Sequence, residues 1–257
     1  MPVMDEFKEE RESIKNKSFK EKLDYFWYYY KVHTIVGIFV LILAIVFIRD
    51  AVNKKDFAYY CVFLNSFSMD EETGFMDEFA KTTDVDFSKY EVRLDDTTRF
   101  SLDGYDQTSM AMIQRFVAMI YAGDIDNAVM EKSLFTNYAK SDTFMDLRDV
   151  LTADQMEKYK DHIYYIDRAE LEEENDADFA EIAESNAPVL KEDTVDRKNP
   201  DAMKDPIPMG IFIEDELRGK ISEYGFYSDD EVIVFGFITE THADLGRQFL
   251  DWLTANE

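Results

Sequence analysis

Apolar residues are spread very unevenly along this chain, and the longest run without a charged residue lies near its start. Residues 34–48 read TIVGIFVLILAIVFI, in which twelve of the fifteen residues are Ile, Val, Leu or Phe. Trp27 and the three tyrosines after it lie directly before this run, and aromatic rings favour the interface between membrane and water. A helix over residues 28–48 is about 31 Å long, enough to cross a hydrocarbon core of about 30 Å. The pattern therefore predicts a transmembrane helix over residues 28–48.

Two other interpretations of the apolar run stay open, a cleaved signal peptide and a buried helix of a soluble protein. A signal peptide is disfavoured because more than thirty residues precede the run, and because Arg49-Asp50 follows it without a small-residue cleavage site. A buried helix is disfavoured because the run is apolar on every side and is preceded by an aromatic cuff.

The lysines that flank the apolar run indicate its orientation. Residues 13–33 hold five lysines and two acidic residues, whereas residues 49–56 hold three basic and two acidic residues. Because positive charge is retained on the inner side, we expect a cytoplasmic N-terminus and a C-terminal part outside the cell membrane. The predicted organisation is a cytoplasmic amphipathic segment over 1–27, the membrane helix over 28–48, a tether over 49–56 and an exterior domain over 57–257.

Beyond the tether, short apolar runs alternate with segments of helical periodicity. Strands are predicted over residues 57–64, 89–96, 126–130, 162–166, 209–213 and 232–238. Helices are predicted over about 68–81, 107–122, 132–139, 152–160 and 241–253. This alternation predicts an α/β domain with a mixed, mostly parallel sheet that helices cover.

Two segments of the exterior part differ from the rest. The helix predicted over residues 107–122 is apolar almost all round, so we expect a central helix covered on every side. Residues 168–208 are acidic and contain four of the five prolines, with few apolar residues. We expect an excursion there that is only partly ordered.

The net charge of −27 belongs entirely to the part after the apolar run. Residues 1–50 hold eight basic and eight acidic groups, which leaves 20 basic and 47 acidic groups for residues 51–257. Such a surface repels nucleic acid and anionic lipid headgroups and suits cations or basic partners, although solubility alone explains it more simply. The single cysteine, Cys61, permits no intramolecular disulfide and is predicted to lie in a strand. An exported domain without disulfides suggests a bacterial setting.

The motifs of common catalytic and cofactor sites are missing from the sequence. There is no GxSxG, P-loop, GxGxxG, CxxC or HExxH, and the three histidines are widely separated. The acidic pairs lack the order of ligands found in a calcium-binding EF-hand. No cofactor, metal site or catalytic residue is therefore predicted, and the chain is expected not to be an enzyme.

Two stretches carry a family resemblance. Within residues 110–159 a helix ends in Ala122-Gly123-Asp124, and a short strand, a helix and the phrase Phe144-Met-Asp-Leu147 follow. This order, with the strand and helix over residues 232–253, resembles the extracellular solute-binding proteins of ABC importers. The resemblance implies an exterior α/β domain that binds a solute. About 90 residues follow Ile166, which implies a reduced, single-lobe and membrane-anchored relative.

One edge of the predicted sheet is a candidate ligand site. In open α/β sheets, ligands gather beyond the carboxyl ends of the strands. That edge carries polar and acidic residues directly after three predicted strands, namely Asn65, Ser66, Asp95, Asp96 and Glu131. Helix caps and turn residues are the alternative interpretation, and both stay open at this point.

The sequence thus predicts a single-pass protein of the cell membrane with an exterior, non-enzymatic binding domain. The lipid bilayer is its first expected partner, and a membrane protein or a small solute is the second; nucleic acid is excluded by charge. The alternative is an accessory or scaffold subunit whose cytoplasmic helix docks onto a neighbouring membrane protein.

Overall fold

A computed structural model describes residues 18–67, 74–101, 107–175 and 193–255. The chain divides into two compact units, one that ends at Lys54 and one that begins at Lys55. Residues 1–17 of the predicted cytoplasmic segment, the start of the helix predicted at residue 68 and residues 176–192 of the predicted excursion lie outside the described residues.

The first unit contains one long helix, α1 (Phe19–Asn53). Its start is fixed by a capping box, in which the Ser18 hydroxyl accepts the Glu21 N–H and the Glu21 carboxylate accepts the Ser18 N–H. The stretch Tyr30–Asp50 is long and apolar enough to cross a membrane, and the residues of its most apolar part are not buried. The helix continues to Asn53, which leaves a shorter connection than the tether predicted over residues 49–56.

The second unit is an α/β domain around one sheet of six strands in the order β2-β1-β3-β6-β5-β4. The strands are β1 (Asp56–Phe63), β2 (Tyr90–Asp95), β3 (Asn127–Glu131), β4 (Ile163–Asp167), β5 (Pro206–Ile213) and β6 (Ile233–Phe237). Each of them matches a strand predicted from the sequence, with bounds shifted by a few residues at most.

The sheet is mixed, but the expectation of a mostly parallel sheet is wrong. Strand β1 runs parallel to β2 and β3, whereas the pairs β3–β6, β5–β6 and β4–β5 are antiparallel. In the connection from β5 to β6, the Tyr227 hydroxyl lies 2.8 and 2.9 Å from the carbonyl oxygens of Leu64, directly after β1, and of Val129, in the middle of β3. Ile213 at the end of β5 pairs with Ile233 at the start of β6, so the chain turns back and β6 runs antiparallel to β5.

Helices cover both faces of the sheet, as the alternation of strands and helices predicted. On one face lie α2 (Phe75–Ala80), α5 (Leu147–Val150), α6 (Ala153–Lys158), α8 (Gly219–Tyr224) and α9 (Ala243–Leu253). On the other lie α3 (Gln107–Ala122), α4 (Lys132–Lys140) and α7 (Arg168–Asn175). Strand β1 supplies both cores, because its side chains alternate between the two faces.

The second core depends on glycine at the centre of the sheet. The rings of Phe135 and Phe144 stack at 4.1 Å with an angle of 9° between their planes. A Cβ atom at Gly236 of β6 would lie 2.5 Å from the Phe144 ring, and one at Gly210 of β5 would lie 2.5 Å from the Phe135 ring. The stacked pair can therefore lie directly on the strands only because these positions have no side chain.

Helix α3 has the predicted bounds, but the expectation of a covered, central helix is wrong. Only Ser109 and Phe116 are buried in it, whereas Met110 and Tyr121 are 49% and 73% exposed. The helix packs against one core through the side that carries Phe116. Its apolar character all round comes largely from alanine and methionine, which a protein surface tolerates.

The described flanks of the predicted excursion are firmly attached to the domain, because Arg197 is buried within them. Its guanidinium group forms a bidentate pair with Glu170 at 2.7 and 2.9 Å and a second with Asp193 at 2.9 Å. Its backbone carbonyl accepts the N–H of Tyr165 in β4. A buried cation that is hydrogen-bonded on every side is costly to remove, so the segment that begins at Asp193 is part of the folded core.

We expect Arg197→Met to lower the free energy of unfolding by about 3–5 kcal/mol at pH 7, because two partly buried carboxylates lose their partner. Arg168→Met is the control, since Arg168 pairs with Asp205 at the surface and its loss should cost less than about 1 kcal/mol. Urea titration of both variants measures the difference. Equal effects would contradict the role given to Arg197.

The ion pairs of Arg197 with Glu170 and Asp193 make stability depend on pH. Burial alone would raise the pKa of Glu170 and of Asp193, but the hydrogen bonds from Arg197 outweigh burial and hold both pKa values below the ordinary range. Their contribution is therefore complete above about pH 4–5 and is lost as the pH falls through the lowered values. The difference in the free energy of unfolding between Arg197→Met and Arg168→Met should therefore become smaller in acid.

Candidate functional site

The residues predicted as a ligand site lie at one end of the sheet, where β1, β2 and β3 end. Asn65 and Ser66 are joined to the loop after β2: the Asn65 side chain accepts the N–H of Phe100 at 2.9 Å, and the Ser66 hydroxyl lies 3.3 Å from the carbonyl oxygen of Asp96. The structure therefore brings Asn65, Ser66, Asp95 and Asp96 together. Glu131 is different, since its exposed carboxylate accepts the hydroxyl of Ser133 at the start of α4.

Asp95 is the most buried carboxylate of this group. Its two oxygens accept the N–H and hydroxyl groups of Thr97 and Thr98, and Oδ2 also accepts the guanidinium group of Arg115 at 3.2 Å. Burial raises the pKa of Asp95, but these hydrogen bonds outweigh burial and leave the pKa below its ordinary value. The ionised carboxylate thus serves the loop after β2 and the attachment of α3, as the turn interpretation of this edge requires.

We expect Asp95→Ala to lower the free energy of unfolding by roughly 2–4 kcal/mol, because several buried donors lose their acceptor. Glu131→Ala should change it by no more than about 0.5 kcal/mol, since its carboxylate is exposed. Urea titration followed by fluorescence measures both values. If Asp95→Ala leaves the free energy of unfolding unchanged, the carboxylate is not structural and its use as a ligand is open again.

A second polar site lies at the opposite end of the sheet, where β3 begins and β6 ends. Asp126 is buried, and its Oδ2 accepts the N–H of Tyr60 at 2.8 Å. Its Oδ1 lies 2.9 Å from Nδ1 of His242, a residue that is N-cap to α9 and whose side chain is 38% exposed. The pKa of Asp126 is raised, chiefly because burial disfavours its charged form, and the contacts with Tyr60 and His242 offset part of the rise.

This pair resembles the carboxylate–imidazole contacts that orient a histidine for proton exchange. A cleft of about 330 Å³ adjoins it, lined by residues 240–245. In the part of the chain that the structure describes, the only hydrogen-bonding partner of the His242 ring is Asp126. The contact with Asp126 therefore orients the His242 ring at the edge of the cleft.

The amide of Asn127 lies beside this pair and is closely packed against α9. Its Nδ2 donates to the carbonyl oxygen of Gly236 at 3.3 Å, while its Oδ1 is buried without a hydrogen-bond partner. A Cβ atom at Gly246 of α9 would lie 2.6 Å from that oxygen. The helix approaches the sheet this closely because Gly246 has no side chain.

Sequence reasoning missed the Asp126–His242 pair because the two residues are 116 positions apart. His242 lies at the start of the helix predicted over residues 241–253, and Asp126 starts the strand predicted over residues 126–130. One signal lies in the sequence, since the charged Asp126 stands directly after Ile125 and shortly before the apolar residues 128–130. A carboxylate in such a place requires a partner.

A larger groove of about 740 Å³ runs beside the edge strand β2. Its walls come from the first residue of the domain, the end of α2 and the turn before β2, and they include Lys55, Lys81, Asp84, Phe87 and Tyr90. Among the residues that the structure describes, no three His, Cys, Asp or Glu side chains are grouped so as to hold a metal ion.

Comparison of the chain with protein-family models, with curated proteins and with solved structures finds no match. The resemblance to solute-binding proteins therefore stays a prediction.

Proposed function

We propose that the chain is a single-pass membrane protein whose α/β domain lies outside the cytoplasm and binds a partner protein or a small solute without catalysis. The observation that supports this is the unburied apolar stretch Tyr30–Asp50 of α1. Its Ile, Val, Leu and Phe side chains contribute at most about −4 to −7 kcal/mol to insertion. The excess of lysines before the stretch keeps the N-terminus in the cytoplasm.

The binding role rests on surface features of the domain. Two depressions open to solvent, the groove beside β2 and the cleft at His242. The 47 acidic groups against 20 basic groups after residue 50 favour a neutral or cationic ligand and disfavour nucleic acid. The resemblance to solute-binding proteins gives the ligand class, a small solute taken from the exterior.

The topology can be tested by thiol labelling in intact cells, because the only native cysteine is fully buried. Cys61 is 0% exposed, so the unmodified chain should stay unlabelled by a membrane-impermeant maleimide while folded. We expect Asp154→Cys, in the domain, to be labelled in intact cells. Lys20→Cys, at the start of α1, should be labelled only after permeabilisation; both side chains are exposed.

The reversed labelling pattern would overturn the orientation. Release of the chain from membranes by alkaline carbonate would overturn the membrane span itself. Labelling of the unmodified chain would report unfolding, and it therefore serves as the internal control.

A second candidate function, an accessory subunit that docks through α1, is supported by an exposed apolar stripe. Phe19, Leu23, Phe26 and Trp27 are spaced as one face of a helix, and they are 82%, 56%, 46% and 53% exposed. An apolar face of this kind fits the side of another helix.

Photo-crosslinking tests the second candidate. A benzophenone amino acid at Leu23 should give a discrete band of higher mass in membranes, because that side chain faces the stripe. The same probe at Asp24 points about 100° away around the helix and should give little or none. Equal crosslinking from both positions, or none from either, would exclude a specific helix partner.

A further inference from the structure

The end of the domain at which β1 begins carries a rigid aromatic turn, formed by residues 86–90 and called here the basal turn. Asp86 Oδ1 accepts the N–H and the hydroxyl of Ser88 at 3.0 and 2.6 Å. Lys55 Nζ donates to the carbonyl oxygen of Phe87 at 2.5 Å, and the Asp56 N–H donates to that of Lys89 at 3.3 Å. The turn is thus fixed to the first residues of the domain.

The basal turn presents two aromatic rings to the outside. Phe87 is 37% exposed and Tyr90 is 42% exposed, and both line the groove beside β2. The turn is held by hydrogen bonds on both sides, so this exposure does not come from a loose loop. Lysines flank the rings at positions 55, 81 and 89. Aromatic rings next to lysines are the composition found where proteins meet the membrane–water interface.

The charge around the basal turn differs from that of the domain as a whole. Residues 54–56 and 77–93 together hold five basic and six acidic groups, whereas residues 51–257 hold 20 and 47. Most of the domain surface is repelled by anionic lipid headgroups, but the part of this end around the basal turn is nearly neutral.

The covalent chain limits how far this end can be from the anchor. Helix α1 ends at Asn53 and β1 begins at Asp56, so Lys54 and Lys55 alone connect them. Three consecutive Cα–Cα steps span about 11 Å at most. If α1 crosses the bilayer, as proposed above, the start of β1 is held near the membrane surface.

We propose that the basal turn rests on the outer surface of the phospholipid bilayer. Phe87 and Tyr90 enter the headgroup region, and Lys55 and Lys89 lie at the level of the lipid phosphates. This inference rests on the proposed membrane span and adds that the domain has a defined membrane-facing end. The groove beside β2 then opens toward the lipid headgroups.

Brominated lipids test the contact in the full-length chain. In a Trp27→Phe background, Phe87→Trp places an indole on the basal turn. Phe67→Trp is the matched control, because Phe67 is also exposed, at 56%, and follows β1 at the opposite end of the sheet. Trp252 contributes the same emission to both variants and to the Trp27→Phe chain from which they are made. The chains are reconstituted in phosphatidylcholine and phosphatidylglycerol vesicles with bromine on the upper acyl chain.

We expect Phe87→Trp to lose roughly half of its added emission in brominated vesicles, because interfacial side chains enter about 5–10 Å into the headgroup boundary. Phe67→Trp should lose almost none. Protection of Cys61 from a thiol reagent confirms that each variant is folded.

The outcomes separate this inference from the proposed function. Trp27 of the unmodified chain lies next to the proposed membrane span, so its emission should be quenched in brominated vesicles. Absence of this quenching would overturn the membrane span. Quenching of Trp27 without quenching of Phe87→Trp would overturn only the membrane contact of the basal turn. If the emission of Phe87→Trp changes with protein concentration and not with the brominated lipid, the surface contacts a second copy of the chain. That result would also overturn the proposal.

Discussion

Strand β1 is buried on both faces, and both hydrophobic cores of the domain are built against it. Tyr59, Cys61 and Phe63 belong to one core, while Tyr60, Val62 and Leu64 belong to the other. The strand also forms parallel ladders on both sides, with β2 and β3. Any shift of its register by one residue would exchange the two sets of side chains, so the fit of each core fixes the register of the three parallel strands.

The two ends of the sheet have different roles as a consequence. At the end where β1, β2 and β3 finish, the polar groups are used internally: Asp95 holds the loop after β2, and the Tyr227 hydroxyl contacts the carbonyl oxygens of Leu64 and Val129. At the end where these strands begin lie the basal turn and the Asp126–His242 pair. A bound ligand at the first end would have to displace existing hydrogen bonds, whereas the second end offers a groove and a cleft that are already open.

Local pattern predicted much of this fold from the sequence. Each strand is a short apolar run and was found by its alternation or continuity, and the Ser18–Glu21 capping box marks the start of α1. The capping box of Thr152 and Gln155 likewise opens α6. These signals lie within a few residues of each other, so one sequence suffices to detect them.

The features that the sequence did not predict all depend on contacts between distant residues. The direction of β6 depends on its antiparallel pairing with β3, which joins residues about 100 to 110 positions apart. The exposure of α3 depends on which helices cover the sheet. Arg197 looked like one charge in an acidic, proline-rich stretch, and its burial depends on Glu170, 27 positions away. At the candidate site, four of the five predicted residues come together because parallel strands end at one edge. The pattern could not show that both carboxylate oxygens of Asp95 already accept hydrogen bonds from other residues.

Charge decides which surface of such a domain can approach a membrane. With −27 on residues 51–257, most orientations bring carboxylates toward the phosphates of anionic lipids, and the repulsion acts over about one Debye length, roughly 8 Å at physiological salt. Only Lys54 and Lys55 connect α1 to the first strand, so under the proposed membrane span the surface beside that strand must carry little net charge. The residues around the basal turn meet this condition, with lysines near positions 54–55, 81 and 89 balancing the acidic groups.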